Sequence, residues 1–155
     1  MAPLTIRPCH LLFVDPSSSD CWLYENMFNR DLFRISTAQT ADQFLITFQQ
    51  GRPFDLIIID PKIFGDHVEE MFHWIAAQFP MEKVVLYSHQ VQIPWVMLGK
   101  KLEISEYIKK GQYSPAELLT RFEEIIDWAN ENGKNHLELN KTCEDSYEKR
   151  LPYLI

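Results

Sequence analysis

Four consecutive apolar residues, Leu56-Ile57-Ile58-Ile59, stand between two aspartates, Asp55 and Asp60, shortly after Pro53. All four favour an extended backbone, so residues 55–60 (DLIIID) predict a strand. With no polar face, that strand has to be covered on both sides. Such double cover is the property of a parallel sheet, whose crossover helices pack on both faces. A single run thus excludes most half-exposed β architectures.

The rest of the chain repeats this punctuation. Residues 10–15 (HLLFVD), 83–88 (KVVLYS) and 105–109 (SEYIK) predict further strands, and 32–36 a weaker one. Between them lie amphipathic stretches. Ser17–Ser19 offer caps for a helix over 20–29, with Trp22, Leu23, Met27 and Phe28 at helical spacing. Thr40 and Gln43 have capping-box spacing, Phe44, Leu45 and Phe48 follow, and Gly51 is the expected stop. Val68, Met71, Phe72, Ile75, Ala76 and Phe79 mark a helix over 66–79, which Pro80 closes. Residues 92–103 are poorly patterned, and a short helix from Pro94 is one reading of them. Ser114-Pro115-Ala116-Glu117 opens the clearest helix, whose stripe runs through Leu118, Leu119, Phe122, Ile125, Ile126 and Ala129 to an expected end at Gly133. The tryptophans Trp22, Trp74, Trp95 and Trp128 lie near these stripes and read as packing.

Five strands alternating with helices imply an α/β fold with a five-stranded parallel sheet, doubly wound as (βα)5 in the flavodoxin-like manner. The expected domain is 8–132. Residues 133–155 break the rhythm, being polar and mixed in charge until the apolar end 151–155, and read as a C-terminal tail or the start of a linker. The 155 residues suit one domain, and a net charge of −7 argues against a nucleic-acid or anionic-membrane surface. Cys9, Cys21 and Cys143 show neither disulfide nor zinc-site spacing. No signal peptide and no apolar run approaching the ~20 residues of a membrane span are present. A cytoplasmic protein is the expectation.

In open parallel sheets, sites form at the carboxyl ends of the strands. Here those ends carry Asp15, Asp60, Ser88, and the pair Lys109 and Lys110. Two carboxylates suit an oxygen-preferring cation such as Mg²⁺, and one of them can attack a phosphoryl donor while a lysine and a hydroxyl hold the product. Asp60 before Pro61 is also an ordinary turn or cap residue, and Tyr107 on a strand is also ordinary packing.

The ordered set resembles the receiver domains of two-component response regulators, over roughly residues 10–131. The resemblance rests on DLIIID ending in Asp60, Ser88 after VVLY, EYIKK ending in Lys110, and Gly65 after Asp60. Asp60 lies 45 positions after Asp15, Ser88 lies 28 after Asp60, and Lys110 lies 22 after Ser88. The resemblance implies a phosphoaspartate switch rather than an enzyme: Asp60 takes phosphoryl from a histidine kinase, Ser88 and Lys110 contact it, and Tyr107 swings. It further implies Mg²⁺ on Asp15, Asp60 and the backbone carbonyl of Lys62.

Three residues depart from the pattern. Pro16 stands where the family has a second acid, the Lys62 ammonium is placed to compete for the cation position, and Gly111 replaces a common proline. Mg²⁺ binding is therefore expected to be weakened. The alternatives are a phosphorylation-independent pseudo-receiver that docks signalling proteins, or a flavodoxin-like small-molecule binder using the loop Pro16-Ser17-Ser18-Ser19. The apolar Trp95, Val96, Met97 and Leu98 predict a homodimer or partner interface within 90–113.

Overall fold

The computed structural model of the chain describes residues 8–28, 31–50, 53–90 and 92–140, the side chains of 132–140 excepted. Ten regular elements alternate: β1 (Cys9–Val14), α1 (Ser18–Met27), β2 (Phe33–Ala38), α2 (Ala41–Gln49), β3 (Leu56–Ile59), α3 (Val68–Ala76), β4 (Val84–Ser88), α4 (Ile93–Lys101), β5 (Glu106–Lys109) and α5 (Pro115–Asn140). The strands form one parallel sheet in the order β2-β1-β3-β4-β5. The order reverses between β1 and β3, which places a crevice at their carboxyl ends.

The local signals act as their chemistry requires. Ser17 caps α1 by accepting the Asp20 amide, and Thr40 caps α2 by accepting that of Gln43. The Gln43 side chain returns to the amide of Gln39 at 2.8 Å, one residue earlier than a strict capping box. The expected stop at Gly51 and the residues beyond 140 lie outside the described residues.

Buried apolar side chains form two layers, one on each face of the sheet. Phe44 of α2 and Met71, Phe72, Trp74 and Ile75 of α3 cover one face, with Ile57 and Ile59 beneath them. Tyr24 and Phe28 cover the other, together with Leu118, Phe122, Ile125 and Ile126 of α5, above Leu56 and Ile58. Each such side chain contributes roughly 1.5–3 kcal/mol. All four residues of β3 are essentially inaccessible, as a doubly covered strand must be.

Four expectations need correction. In α1 the buried positions are Cys21 and Tyr24, whereas Trp22 and Leu23 are 65% and 47% exposed, so the helix turns a different face inward. The segment after Asp60 is a 3-10 turn over Pro61–His67 before α3 begins, because Gly65 at φ 54° and ψ −125° breaks the helical path. Residues Ile93–Lys101 do form a helix, but its sides are mixed: Trp95 and Leu98 pack on the core while Ile93 and Met97 face solvent. Finally, α5 passes through Gly133 to Asn140. A glycine inside a helix costs only about 1 kcal/mol, which the preceding packed turns outweigh. No helix among the described residues is long and apolar enough to cross a membrane.

Candidate functional site

The sheet fixes the backbone of its own rim. Just past the strand ends, the Asp15 amide donates to Ala38 O at 2.9 Å, that of Asp60 to Val14 O at 2.8 Å, and that of Lys110 to Ser88 O at 2.8 Å. Each bond continues a parallel ladder by one residue, so three charged side chains are set over the crevice by the sheet itself.

Those side chains meet. Lys110 Nζ donates to Asp15 Oδ2 at 2.6 Å, to Asp20 Oδ2 at 2.9 Å and to Asp60 Oδ2 at 3.1 Å. The side chains of Asp15, Asp60 and Lys110 are 4–5% exposed, and that of Asp20 is 28%. The ammonium also lies 5.8 Å from the centroid of Tyr87, within cation–π range. Burial disfavours the charge on Lys110. The hydrogen bonds to Asp15 and Asp20 and the charges of Asp15 and Asp60 outweigh that, holding its pKa above the ordinary lysine value.

Asp15 is held from every side. Its Oδ1 accepts the Ser17 amide at 2.9 Å, and its Oδ2 accepts the Tyr24 hydroxyl at 2.9 Å besides Lys110. Tyr24 is 2% exposed and stacks on Phe13 with centroids 4.1 Å apart. Burial and the adjacent Asp15 carboxylate push its phenol far above the usual range, so it stays a donor. Cys21 lies beneath, its Sγ donating to Asp15 O at 3.4 Å, with burial pushing the thiol up to about 11.

Of the residues expected at the site, Asp15, Asp60 and Lys110 converge. Ser88 is fully buried at the end of β4, where its hydroxyl accepts the Gln90 amide at 3.4 Å. Tyr107 is half-buried, and its hydroxyl donates to Gln90 O, tying β5 to the loop before α4. The Lys62 ammonium is exposed and forms no ion pair among the described residues. Only its amide touches Asp60, donating to Oδ1 at 3.1 Å. Asp60 thus caps the turn with one oxygen and meets Lys110 with the other. The competing ammonium is that of Lys110, because the cap sends Lys62 along the surface.

Sequence reasoning missed two participants, Asp20 and Tyr24. They stand at i and i+4 on α1, one above the other on the helix face turned to Asp15. The signal was present in the acid of the first helical turn, but the exposed Trp22 and Leu23 masked the inward face.

The fit of a divalent cation depends on which oxygens are left. Mg²⁺ needs near-octahedral oxygen ligands at about 2.0–2.1 Å. Both acceptor positions of Asp15 Oδ2 are filled, and the carboxylates converge on an ammonium. No group of three or more His, Cys, Asp or Glu among the described residues is arranged to hold a metal ion. As placed, Asp15 Oδ2 has no acceptor position left for Mg²⁺, and an ammonium already stands among the three carboxylates.

No family model and no curated protein matches the sequence. Solved structures do. A response regulator from Thermotoga maritima aligns with a TM-score of 0.65 at 24% identity, over 78% of this chain and 99% of that one. A CheY-like response regulator receiver domain protein from Methanospirillum hungatei JF-1 aligns with a TM-score of 0.71 at 18% identity, over 81% and 98%. The signal receiver domain of an HD domain-containing protein from Pseudomonas fluorescens Pf-5 aligns at 0.68 and 20%, over 86% and 97%. With its five-stranded parallel sheet in the order β2-β1-β3-β4-β5, the chain has the flavodoxin-like fold of the CheY-like receiver domains.

Proposed function

We propose that the chain is an atypical signal-receiver module of the two-component type, which works by protein contact without Mg²⁺-dependent phosphoryl acceptance. Its partner is a histidine kinase or another signalling protein, and it has no enzymatic activity of its own. The observation that carries this reading is the filling of Asp15 Oδ2 by Tyr24 and Lys110, while Oδ1 accepts the Ser17 amide. Receiver-type solved structures support the signalling class. The outgoing contact lies on α4, whose Ile93 and Met97 are 73% and 65% exposed one helical turn apart. Trp95, half-buried against the core, supports that helix from within. The flavodoxin-like alternative is weakened because Ser17 is already spent, its amide on Asp15 and its hydroxyl on the start of α1.

A second reading, phosphoryl acceptance on Asp60, is favoured by the buried Ser88 hydroxyl and by Lys110 beside Asp60. Incubating the protein with phosphoramidate and Mg²⁺, then measuring intact mass, separates the two. No phosphoryl adduct is expected. An adduct that Asp60→Asn abolishes would replace the first reading with the second.

A further inference from the structure

The geometry points to Tyr24 as the residue that closes the acidic rim to divalent cations. This deepens the reading of the site as metal-free and rests on it. Three carboxylates and one ammonium leave two formal negative charges on the cluster, in a largely buried place. Such a cluster attracts a second cation, so its charge alone does not explain the misfit.

The explanation lies in the distribution of acceptors. A carboxylate oxygen accepts about two hydrogen bonds. Asp60 accepts one on each oxygen, from Lys62 and from Lys110. Among the described residues Asp20 accepts on Oδ2 alone, where Lys110 bonds it and His89 lies 3.9 Å away. Among the described residues only Asp15 Oδ2 is full, taking Tyr24 and Lys110. Lys110 brings a charge that the cluster needs. Tyr24 brings none, and it fills the second position on Asp15 Oδ2, the oxygen that Lys110 already takes.

Nor can Tyr24 readily swing away. Its ring stacks on Phe13 at an interplanar angle of 16° and lies 6.0 Å from Tyr87, so the hydroxyl is held on Asp15 by packing. The same face of α1 therefore supplies both an acid, Asp20, and the hydroxyl that prevents its use with Asp15. Tyr24→Phe removes the hydroxyl and keeps the ring.

The test titrates full-length protein with Mg²⁺ by calorimetry and with Mn²⁺ by water-proton relaxation, neither of which depends on phosphoryl transfer. Wild type is expected to show no saturable binding at millimolar cation. Tyr24→Phe is expected to show saturable binding in the same millimolar range. Adding Asp20→Asn is expected to abolish the gain. If Tyr24→Phe retains its unfolding midpoint and binds no better than wild type, the inference is overturned. If Lys110→Met alone gains binding, closure belongs to the lysine: the inference fails and the metal-free reading stands. Tight Mg²⁺ binding by wild type together with a phosphoryl adduct on Asp60 overturns both.

Discussion

Strands β1 and β3 carry polar side chains at both ends, and the two ends are built on different plans. At the amino end, the His10 amide donates to Asp55 Oδ2 at 2.7 Å, and His10 Nε2 pairs with Ser36 Oγ at 2.7 Å. The His10 ring packs 4.6 Å from Phe54. All of these partners lie on or beside neighbouring strands. At the carboxyl end, Lys110 reaches from the end of β5 past β4 to Asp60, Asp15 and Asp20. Sheet formation needs no such reach, since the ladder already pins every rim backbone. A buried ion cluster is also weak ground for stability, because desolvation offsets most of the attraction. The amino end is joinery. The carboxyl end holds charge in a set geometry, as a site does.

The largest test of this contrast removes the cation. Lys110→Met leaves Asp15 and Asp60 buried and without their counter-ion, and is expected to cost about 3–5 kcal/mol in urea-unfolding stability. Asp60→Asn is expected to cost less, because Lys110 keeps Asp15 and Asp20. Equal losses from the two variants would mean that the cluster is a set of separate pairs.

A pH titration sharpens the contrast next. Folding raises the pKa of Lys110 and of Tyr24 above their ordinary values near 10. The folded state therefore keeps protons that the unfolded chain releases there, as it does at the buried Cys21, Tyr87 and Tyr107, and the stability they contribute is complete below about pH 9 and lost as pH rises beyond it. Unfolding free energy is expected to fall by up to about 1.36 kcal/mol per pH unit for each such group. Tyr24→Phe should lower that slope by one group's share. A wild-type curve flat to pH 11 would sink the assignment.

How much of this was legible in the sequence follows from where each signal lies. Residues 56–59 have no polar face, so the sheet and its double cover could be read directly, and Asp60 and Lys110 followed from the strand ends. Asp20 and Tyr24 could not be read that way. Their role depends on which face α1 turns inward, and Trp22 and Leu23 favour the wrong answer because both are exposed. Residues 92–103 were ambiguous for a related reason. That helix buries Trp95 and Leu98 only partly and leaves Ile93 and Met97 in water, so no single face carries its apolar residues. Sequence proximity of Lys62 to Asp60 does not reveal that the turn spends its amide, not its ammonium, on that carboxylate.

The smallest effect belongs to the amino end, and it completes the comparison. Ser36→Ala removes a partly buried hydroxyl from His10 and is expected to cost about 0.5–1.5 kcal/mol, the net value of one hydrogen bond. It should leave the pH slope above 10 unchanged, because neither Lys110 nor Tyr24 contacts Ser36. Unfolding curves at pH 8 and pH 11 measure both quantities in one protein. A parallel offset between wild type and variant, with no change in slope, is the signature of two independent ends. A changed slope would mean that β1 transmits strain along its length, and that the rim charges are set partly by the packing of His10 at the far end of the strand.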